Sequence, residues 1–355
     1  MREYGAEHPG IVLPDNYFSS LEQYGHCTWL RSGREALYLV ALNIRFGKDT
    51  PYVFMPAYCC HSMVVPFQKA GWKICYYALN EDLTVNIQYL DTMLLSVYPS
   101  AILTMNYFGC SSTKSVIDYI KLNCPECVIV EDFSHCTFSF DIIYNPNVDY
   151  YVSSIRKSIG VCDGSVIITN RLLNNSNVKL DVSDFVKVRK DSQILKWEYA
   201  YTQDIKQKNI FYPNLRAQEE VLDGFNDMYR ISSTSMEMLH LQNGHSIRYA
   251  RQKNMEHMLK ILHGHVETVC GIESCLDGAP FSFPILMHNR DEKQKQLAAL
   301  GVYSPVLWPI SDEARKICAV ASKMADKMLS IPIDQRYNYD DIEHIAQIVL
   351  KVCKI

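Results

Sequence analysis

The sequence predicts an α/β protein of three layers, in which a mainly parallel β-sheet lies between two layers of helices, followed by a smaller C-terminal α+β domain. The chain has 355 residues, enough for two domains of roughly 100–200 residues each. Short apolar segments alternate with helical segments through the first half, as in repeated β-α-β units. The pattern changes after residue 280. We therefore predict a large domain over residues 1–230, including an N-terminal arm, and a small domain over residues 231–355.

The first predicted helix begins near Ser32 and ends near Gly47, with apolar residues at helical spacing between them. Segments of alternating type follow it. The predicted strands read YVFMP, KICYYAL, AILTMNYF, CVIVED, YYVSSI and SVIITN, and the helices between them read SMVVPFQKAG, IQYLDTMLLSV and SVIDYIKLN. This order predicts the parallel sheet of the large domain.

The second half begins with a polar stretch over residues 171–210, and its segment NNSNVKLDVSD predicts a loop. Residues 215–263 have a helical pattern. The remaining predicted elements are a strand at PFSFPILM, a helix at DEKQKQLAALG, a strand at VYSPVLWP and a closing amphipathic helix at DIEHIAQIVLKVCKI. Together these elements predict the small α+β domain.

Composition excludes several classes of protein. Hydrophobic residues make up 48% and charged residues 21% of the chain, which is typical of a globular protein. The net charge of −4 argues against nucleic acid and anionic membranes as partners. No apolar run approaches the roughly 18 residues of a membrane span, and residues 1–14 lack the apolar core of a signal peptide. We therefore expect a cytoplasmic protein.

The 13 cysteines are scattered through apolar segments, which favours buried, reduced thiols over a disulfide framework. Cys124 and Cys127 form one CxxC motif. A zinc site needs a second pair of cysteines or histidines at suitable spacing, and none accompanies this motif. We predict no metal site.

Chemically active side chains are expected where strands end, because ligands of parallel sheets bind beyond the carboxyl ends of the strands. Tyr58 to His61 follow the strand YVFMP, and Asn106 and Tyr107 follow AILTM. Asp132 ends CVIVED, and Lys157 follows YYVSSI. The sequence thus predicts one site at this edge.

Lys157 follows two hydroxyl residues, Ser153 and Ser154, and stands next to Arg156. A lysine amine reacts with a carbonyl only when it is unprotonated, and neighbouring positive charge or burial favours that state. The alternative is an ordinary solvated surface lysine.

Asp132 is preceded by a second acidic residue, Glu131, and followed by Phe133, Ser134 and His135. Successive strand residues point to opposite faces, so only one of the two carboxylates can face the predicted site. A helix cap or surface carboxylate is the alternative interpretation of Asp132.

Ser32, Gly33, Arg34 and Glu35 open the first helix. The backbone N–H groups of a helix start bind phosphate, and glycine allows close approach. Ser32 and Glu35 could instead form a capping box, which needs no ligand. The two interpretations are compatible.

The order of these segments resembles the DegT/DnrJ/StrS family of pyridoxal 5′-phosphate (PLP)-dependent aminotransferases, most of which act on nucleotide-linked keto sugars. The resemblance extends over nearly the whole chain from residue 29. The segments that carry it are SGREAL, PAYCC, KAGWKICYYALNEDLTVNIQYL, EDFSH at 131–135, RKSIGVCDGSVIITN, NLR at 214–216, and the closing LSIPI with Tyr337. It implies a fold like that of aspartate aminotransferase.

The resemblance implies roles for individual residues. Lys157 would form a Schiff base with PLP and move a proton between the α-carbon of the amino donor and the C4′ atom of the cofactor. Asp132 would pair with the pyridine nitrogen, and His135 would lie near the phenolic oxygen. A lysine at 157 argues against the dehydratase branch of the family, which has histidine there.

The resemblance also implies how the phosphate is held. The helix start at Ser32, with the backbone amides of Gly33 and Arg34, would bind it together with Ser153 or Ser154. Asn214 would reach the phosphate in a partner subunit, which implies a homodimer with shared active sites.

The chain departs from the family at several positions. Cys60 stands where an aromatic residue stacks on the pyridine ring, and Tyr58, His61 and Tyr107 remain as alternatives. Arg34 replaces a small residue, so a guanidinium group could contact the phosphate. We predict a divergent aminotransferase that transfers an amino group from an amino acid, expected to be glutamate, to a keto sugar or related carbonyl compound, as in polysaccharide biosynthesis. The alternatives are a PLP-dependent lyase or decarboxylase, or a non-catalytic ligand-binding descendant of the fold.

Overall fold

The computed structural model describes residues 16–45, 51–109, 113–181 and 183–353. The strands are β1 (His26–Leu30), β2 (Tyr52–Pro56), β3 (Lys73–Tyr77), β4 (Ala101–Met105), β5 (Val128–Asp132), β6 (Tyr150–Ser153), β7 (Ser165–Thr169), β8 (Val178–Lys179), β9 (Met228–Tyr229), β10 (Glu267–Thr268), β11 (Phe283–Leu286) and β12 (Met328–Ile331).

The helices are α1 (Tyr17–Ser20), α2 (Gly33–Arg45), α3 (His61–Lys69), α4 (Ile87–Ser96), α5 (Lys114–Asn123), α6 (Phe140–Ile143), α7 (Phe185–Thr202), α8 (Ile205–Asp223), α9 (Ser233–His240), α10 (Gly244–Leu262), α11 (Arg290–Ala299), α12 (Asp312–Ile317), α13 (Ala319–Lys327) and α14 (Tyr339–Cys353). Short 3₁₀ helices occur at Leu21–Tyr24, Thr137–Ser139, Ile155–Lys157 and Ile272–Asp277.

A seven-stranded sheet with the order β1-β7-β6-β5-β4-β2-β3 forms the centre of the fold. Neighbouring strands from β3 to β6 are parallel, whereas β7 is antiparallel to both β6 and β1. Helices cover both faces, so the predicted three-layer α/β architecture is confirmed. The strands β2 to β7 match the predicted segments, while β1 at the sheet edge was not predicted.

A second sheet, antiparallel with the order β10-β11-β12, lies in the C-terminal part. The predicted strand at PFSFPILM is confirmed as β11, but the predicted strand at VYSPVLWP is wrong. Pro305 and Pro309 lack the N–H donors that a sheet ladder needs, so this segment stays irregular. The strand that pairs with β11 is β12, which begins at Met328.

The polar stretch at 171–210 is only partly irregular. The segment NNSNVKLDVSD contains the short strand β8, and its described residues form no helix, as predicted for a loop, but α7 begins immediately after it at Phe185. The helices α7 and α8 pack against each other as a hairpin. Polar and apolar residues of α7 do not separate into two faces, because apolar side chains lie on both its inner and its outer face. The sequence of α7 therefore lacks a clear helical pattern.

The structure also bears on membrane spans, cysteines and metal ligands. No described helix combines the length and the apolar composition needed to cross a membrane. Most of the described cysteines are free thiols, but Cys275 is disulfide-bonded, so the prediction of a fully reduced chain is wrong for this residue. Within the described ranges, no cluster of three or more potential metal ligands occurs.

Candidate active site

The candidate site lies at the carboxyl ends of β2, β4, β5 and β6, which are neighbours in the sheet. The segments that follow these strands are 57–61, 106–109, 133–135 and 154–157. Parallel strands present their carboxyl ends at one edge, so residues far apart in the sequence meet there. The edge contains the predicted catalytic residues.

Lys157 ends the 3₁₀ helix that follows β6, and its side chain is half-buried. The next residue, Ser158, is anchored from the C-terminal part of the chain. Its carbonyl oxygen accepts hydrogen bonds from Arg251 Nη2 at 3.1 Å and Gln335 Nε2 at 2.9 Å. These bonds fix the backbone next to Lys157.

Asp132 is connected to the strand that leads to Lys157. Its Oδ1 accepts a hydrogen bond from Ser134 N at 2.8 Å, and Ser134 Oγ accepts one from Ser154 N at 2.9 Å. Asp132 Oδ2 makes no hydrogen bond within the described part of the chain. This carboxylate is buried and has one oxygen available to a ligand.

Glu131 points away from these contacts. Its Oε1 accepts hydrogen bonds from Thr113 Oγ1, at 2.6 Å, and from Asn106 Nδ2. Burial raises the pKa of its carboxyl to about 7. The alternation expected of a strand therefore separates the two carboxyl groups, and only Asp132 is linked to the segment of Lys157.

His135 is a buried, neutral imidazole. Burial, together with the positive charges of Lys157 and Arg251, lowers the pKa of the ring well below its ordinary value. Its Nδ1 lies 3.2 Å from the backbone nitrogen of Phe108 and accepts that N–H. A neutral ring that accepts at Nδ1 carries its proton on Nε2. His135 can therefore donate one hydrogen bond from Nε2.

The aromatic surroundings of His135 come mainly from distant parts of the chain. Phe281 stacks on the imidazole with ring centroids 4.1 Å apart and an interplanar angle of 6°. Trp308 lies 5.5 Å from the same ring and 5.4 Å from the ring of Tyr58. Neither Phe281 nor Trp308 was predicted as a site residue, because only the folded structure brings their segments to this edge.

The residues predicted as candidates for stacking on the pyridine ring lie in different environments. Tyr58 is fully buried and its ring stacks on Tyr107 at 5.7 Å. The Tyr107 hydroxyl donates a hydrogen bond to the carbonyl oxygen of Tyr58. Cys60 is the residue before α3, with its thiol 2.7 Å from Ser62 Oγ, and His61 is exposed. The rings that contact His135 are therefore the buried Phe108 and the half-buried Phe281 and Trp308, and Tyr58 joins this group through Trp308.

The start of α2 touches the end of β6. A Cβ atom at Gly33 would lie 3.1 Å from the Cβ of Ser154, closer than an ordinary contact, so glycine allows this approach without displacing Ser154. Ser32 caps the helix, since its Oγ accepts from Glu35 N at 3.3 Å and donates to Glu35 Oε2 at 3.1 Å. The other oxygen of the Glu35 carboxylate, Oε1, accepts hydrogen bonds from Arg31, so the full capping box is replaced by this ion pair. Ser153 Oγ is 3.0 Å from Thr137 Oγ1. Ser154, rather than Ser153, therefore adjoins the helix start.

Arg34 and Asn214 complete the set of predicted residues. The Arg34 guanidinium forms an ion pair with Asp223 at 2.6 Å, so it binds α8. Asn214 lies half-buried on α8.

No protein-family model matches the chain, and no curated protein matches it. Several solved structures do match. A putative sugar aminotransferase from Streptococcus pneumoniae, Spr1654 in its PMP form, superposes with a TM-score of 0.69 at 12% identity, covering 99% of this chain and 98% of that chain.

Two further structures are similar. Helicobacter pylori PseC, an aminotransferase involved in the biosynthesis of pseudoaminic acid, has a TM-score of 0.68 and 14% identity, with 99% of this chain and 100% of that chain covered. A DegT DnrJ EryC1 StrS aminotransferase from Brucella abortus has a TM-score of 0.65 and 15% identity, with 95% and 90% covered. The chain therefore has the fold of these aminotransferases over nearly its whole length.

Proposed function

We propose that the protein is a PLP-dependent aminotransferase that transfers an amino group from an amino acid, most simply glutamate, to a keto sugar or related carbonyl compound. The observation that supports this most strongly is the link from Asp132 through Ser134 to Ser154, three residues before Lys157, in a chain with an aminotransferase fold. Fold alone does not fix a reaction, so the proposal depends on these residues.

The residues present fit PLP. A Cβ atom at Gly33 would fill the space against Ser154, as expected where a helix start approaches a phosphate closely. Asp132 has a free carboxylate oxygen for a protonated pyridine nitrogen. His135 has a proton on Nε2 for an anionic phenolic oxygen. Ser32 takes part as the cap of α2, which positions the backbone of Gly33 and Arg34.

When bound, PLP supplies an electrophilic carbonyl carbon and a ring that accepts electrons. Lys157 would hold the cofactor through Nζ, and its released amine would carry the proton taken from the α-carbon of the donor. Asp132 would keep the pyridine nitrogen protonated, which would make the ring a better electron acceptor. Phe281 and Trp308 exclude water from the side of His135.

A sugar acceptor is proposed because several of the similar solved structures are of enzymes connected with sugars. PseC takes part in pseudoaminic acid biosynthesis, and the similar enzyme DesI was solved in the presence of its TDP-sugar product. We propose that the amino acceptor of the present chain is also a keto sugar, which is linked to a nucleotide in its natural form.

The active unit in this proposal is a homodimer. On α7, Ile194, Trp197 and Tyr201 are exposed and follow i, i+3, i+7 spacing, so they form one apolar stripe. The hairpin partner α8 carries Asn214 and contacts Arg156 beside Lys157. A second copy that covers the stripe would bring Asn214 towards the partner's phosphate site.

Two assays test the function. Purified protein with PLP should absorb at about 410–430 nm, and Lys157→Ala should abolish this band. Glutamate with a keto-sugar acceptor should then yield 2-oxoglutarate in stoichiometric amounts with amino sugar. A band without 2-oxoglutarate would instead indicate a PLP-dependent lyase or decarboxylase, and no band would contradict the proposal.

A further inference from the structure

Three arginines from three segments converge on one carboxylate beside the candidate phosphate site. Arg156 binds Glu219 with two hydrogen bonds, Nη1 to Oε1 at 2.6 Å and Nη2 to Oε2 at 2.8 Å. Arg189 of α7 approaches Oε1 at 3.1 Å, and Arg34 of α2 approaches Oε2 at 3.8 Å. We call Arg34, Arg156, Arg189 and Glu219 the arginine cluster.

The arginine cluster is adjacent to the helix start. Arg34 directly follows Gly33, and Arg156 comes two residues after Ser154, the residue that Gly33 touches. All three arginine side chains are mostly buried, at 15%, 10% and 1% exposure for Arg34, Arg156 and Arg189. Their charges are therefore less screened by solvent than those of surface arginines.

Glu219 is held in its charged form. Burial acts to raise the pKa of its carboxyl, but the charges of Arg156, Arg189 and Arg34 lower the pKa to about 2. At neutral pH the carboxylate thus offsets part of the positive charge of the three guanidinium groups and fixes the positions of Arg156 and Arg189, whereas Asp223 holds Arg34 at 2.6 Å.

We propose that the arginine cluster sets the affinity of the site for the phosphate group of PLP, with the three guanidinium groups attracting it and Glu219 limiting that attraction. This inference rests on the proposed function. It also gives Arg34 a role that does not require contact with the phosphate, since its guanidinium group is engaged with α8.

Removing a positive or a negative charge from the arginine cluster should change the affinity for PLP in opposite directions. A phosphate ester carries nearly two negative charges at pH 8. Even with the full screening of water, one unit charge about 10 Å away changes the binding of such a group by roughly fourfold. Arg34→Gln removes a positive charge and keeps the backbone amide, so PLP should bind less tightly. Glu219→Gln removes the negative charge, so PLP should bind more tightly.

The experiment compares PLP with pyridoxal, which has the same aldehyde and ring but no phosphate. Dissociation constants for both compounds are measured at low salt from the absorbance band of the protein complex. The decisive quantity is the ratio of the pyridoxal constant to the PLP constant. Arg34→Gln should lower this ratio roughly fourfold, and Glu219→Gln should raise it by a similar factor. High salt should reduce both effects.

Matched controls are available on the same helices. Arg45→Gln makes the same charge change at the other end of α2, eleven residues away, and Glu220→Gln makes it at an exposed neighbour of Glu219. Both should leave the ratio within about twofold of wild type, given solvent screening.

The outcomes separate the two proposals. Wild-type protein without a band with either compound contradicts the proposed function. Wild-type protein with both bands, but with a ratio that Arg34→Gln leaves unchanged, overturns the arginine-cluster inference alone. The same holds if Glu219→Gln lowers the ratio or leaves it unchanged. If Glu219→Gln does not fold, Arg34→Gln decides the question by itself.

Discussion

At the scale of single residues, Asp132 and Glu131 illustrate how one strand assigns two carboxyl groups to different environments. Strand alternation predicted from the sequence that they face opposite sides, and the hydrogen bonds of the structure identify Asp132 as the one linked to Ser154. The sequence could not identify Phe281 and Trp308, because their contact with His135 depends on how the C-terminal segments fold back.

The raised pKa of Glu131 predicts a pH-dependent stability. Its carboxyl has a pKa of about 7 in the folded protein and about 4.3 when unfolded. The unfolded chain therefore loses this proton first, so the carboxyl destabilises the fold increasingly as pH rises from about 4.3 to 7. Glu131→Gln should gain about 2.5 kcal/mol relative to wild type between pH 5 and pH 8.

Urea unfolding of both proteins at pH 5 and pH 8 measures this difference. Glu220→Gln serves as the control, because its carboxylate is exposed. A difference between Glu131→Gln and wild type that is the same at both pH values would contradict the prediction.

At the scale of elements, the turn after β4 supports the aromatic surroundings of His135. Phe108 and Gly109 both have positive φ, at 55° and 97°. Phe281 N donates to the carbonyl oxygen of Phe108 at 2.7 Å, and Phe108 N donates to His135. The turn thus connects β4, His135 and the segment that carries Phe281.

Gly109→Ala should destabilise the protein strongly. A Cβ atom there would lie 2.7 Å from the carbonyl oxygen of Ala279, in a backbone conformation that already disfavours side chains. Gly264 has a similar φ of 73° but nothing within 4 Å of a Cβ. Gly264→Ala should therefore cost about 1 kcal/mol, and Gly109→Ala about 1–3 kcal/mol more.

Chemical denaturation of the two variants checks this prediction, since each free energy of unfolding is compared with wild type. Equal losses of unfolding free energy in the two variants would mean that Ala279 moves away from the added Cβ atom without destabilising the protein. The proposed support of the 279–281 segment would then be wrong.

Elements with a strong local pattern of apolar residues could be predicted from the sequence, and others could not. The buried strands β2 to β7 have strong local patterns of apolar residues and were predicted. The segment VYSPVLWP was wrongly predicted because its apolar residues suggested a strand despite Pro305 and Pro309. The hairpin α7–α8 was obscured because Ile194, Trp197 and Tyr201 add an outer apolar stripe to α7, so its pattern lacks the single apolar face of an ordinary surface helix.

At the scale of the whole molecule, the fold is retained at 12–15% identity to similar structures. A pattern of buried positions can persist when individual residues do not. One hydrophobic core cluster includes residues of both sheets, such as Val53 and Ile285, so the sheets share packing. We propose that the boundary near residue 230 nevertheless separates the cofactor-binding part from the C-terminal part.

The proposed homodimer predicts that Trp197→Glu weakens self-association. The side chain is 42% exposed in one chain and would be covered by the second copy, where a charge is costly. Analytical ultracentrifugation should give twice the chain mass for wild type and a shift towards monomer for this variant. Leu172→Glu is the control, because Leu172 is 98% exposed outside the α7 stripe. A variant that remains a dimer would place the interface elsewhere.

The central claim is that Lys157 carries PLP, and covalent trapping tests it most directly. Protein incubated with PLP is reduced with borohydride, digested and analysed by mass spectrometry. We predict a single stoichiometric pyridoxyl phosphate adduct on the peptide that contains Lys157, and none on that peptide in Lys157→Ala. An adduct spread over surface lysines, or a specific adduct at another lysine, would contradict the claim.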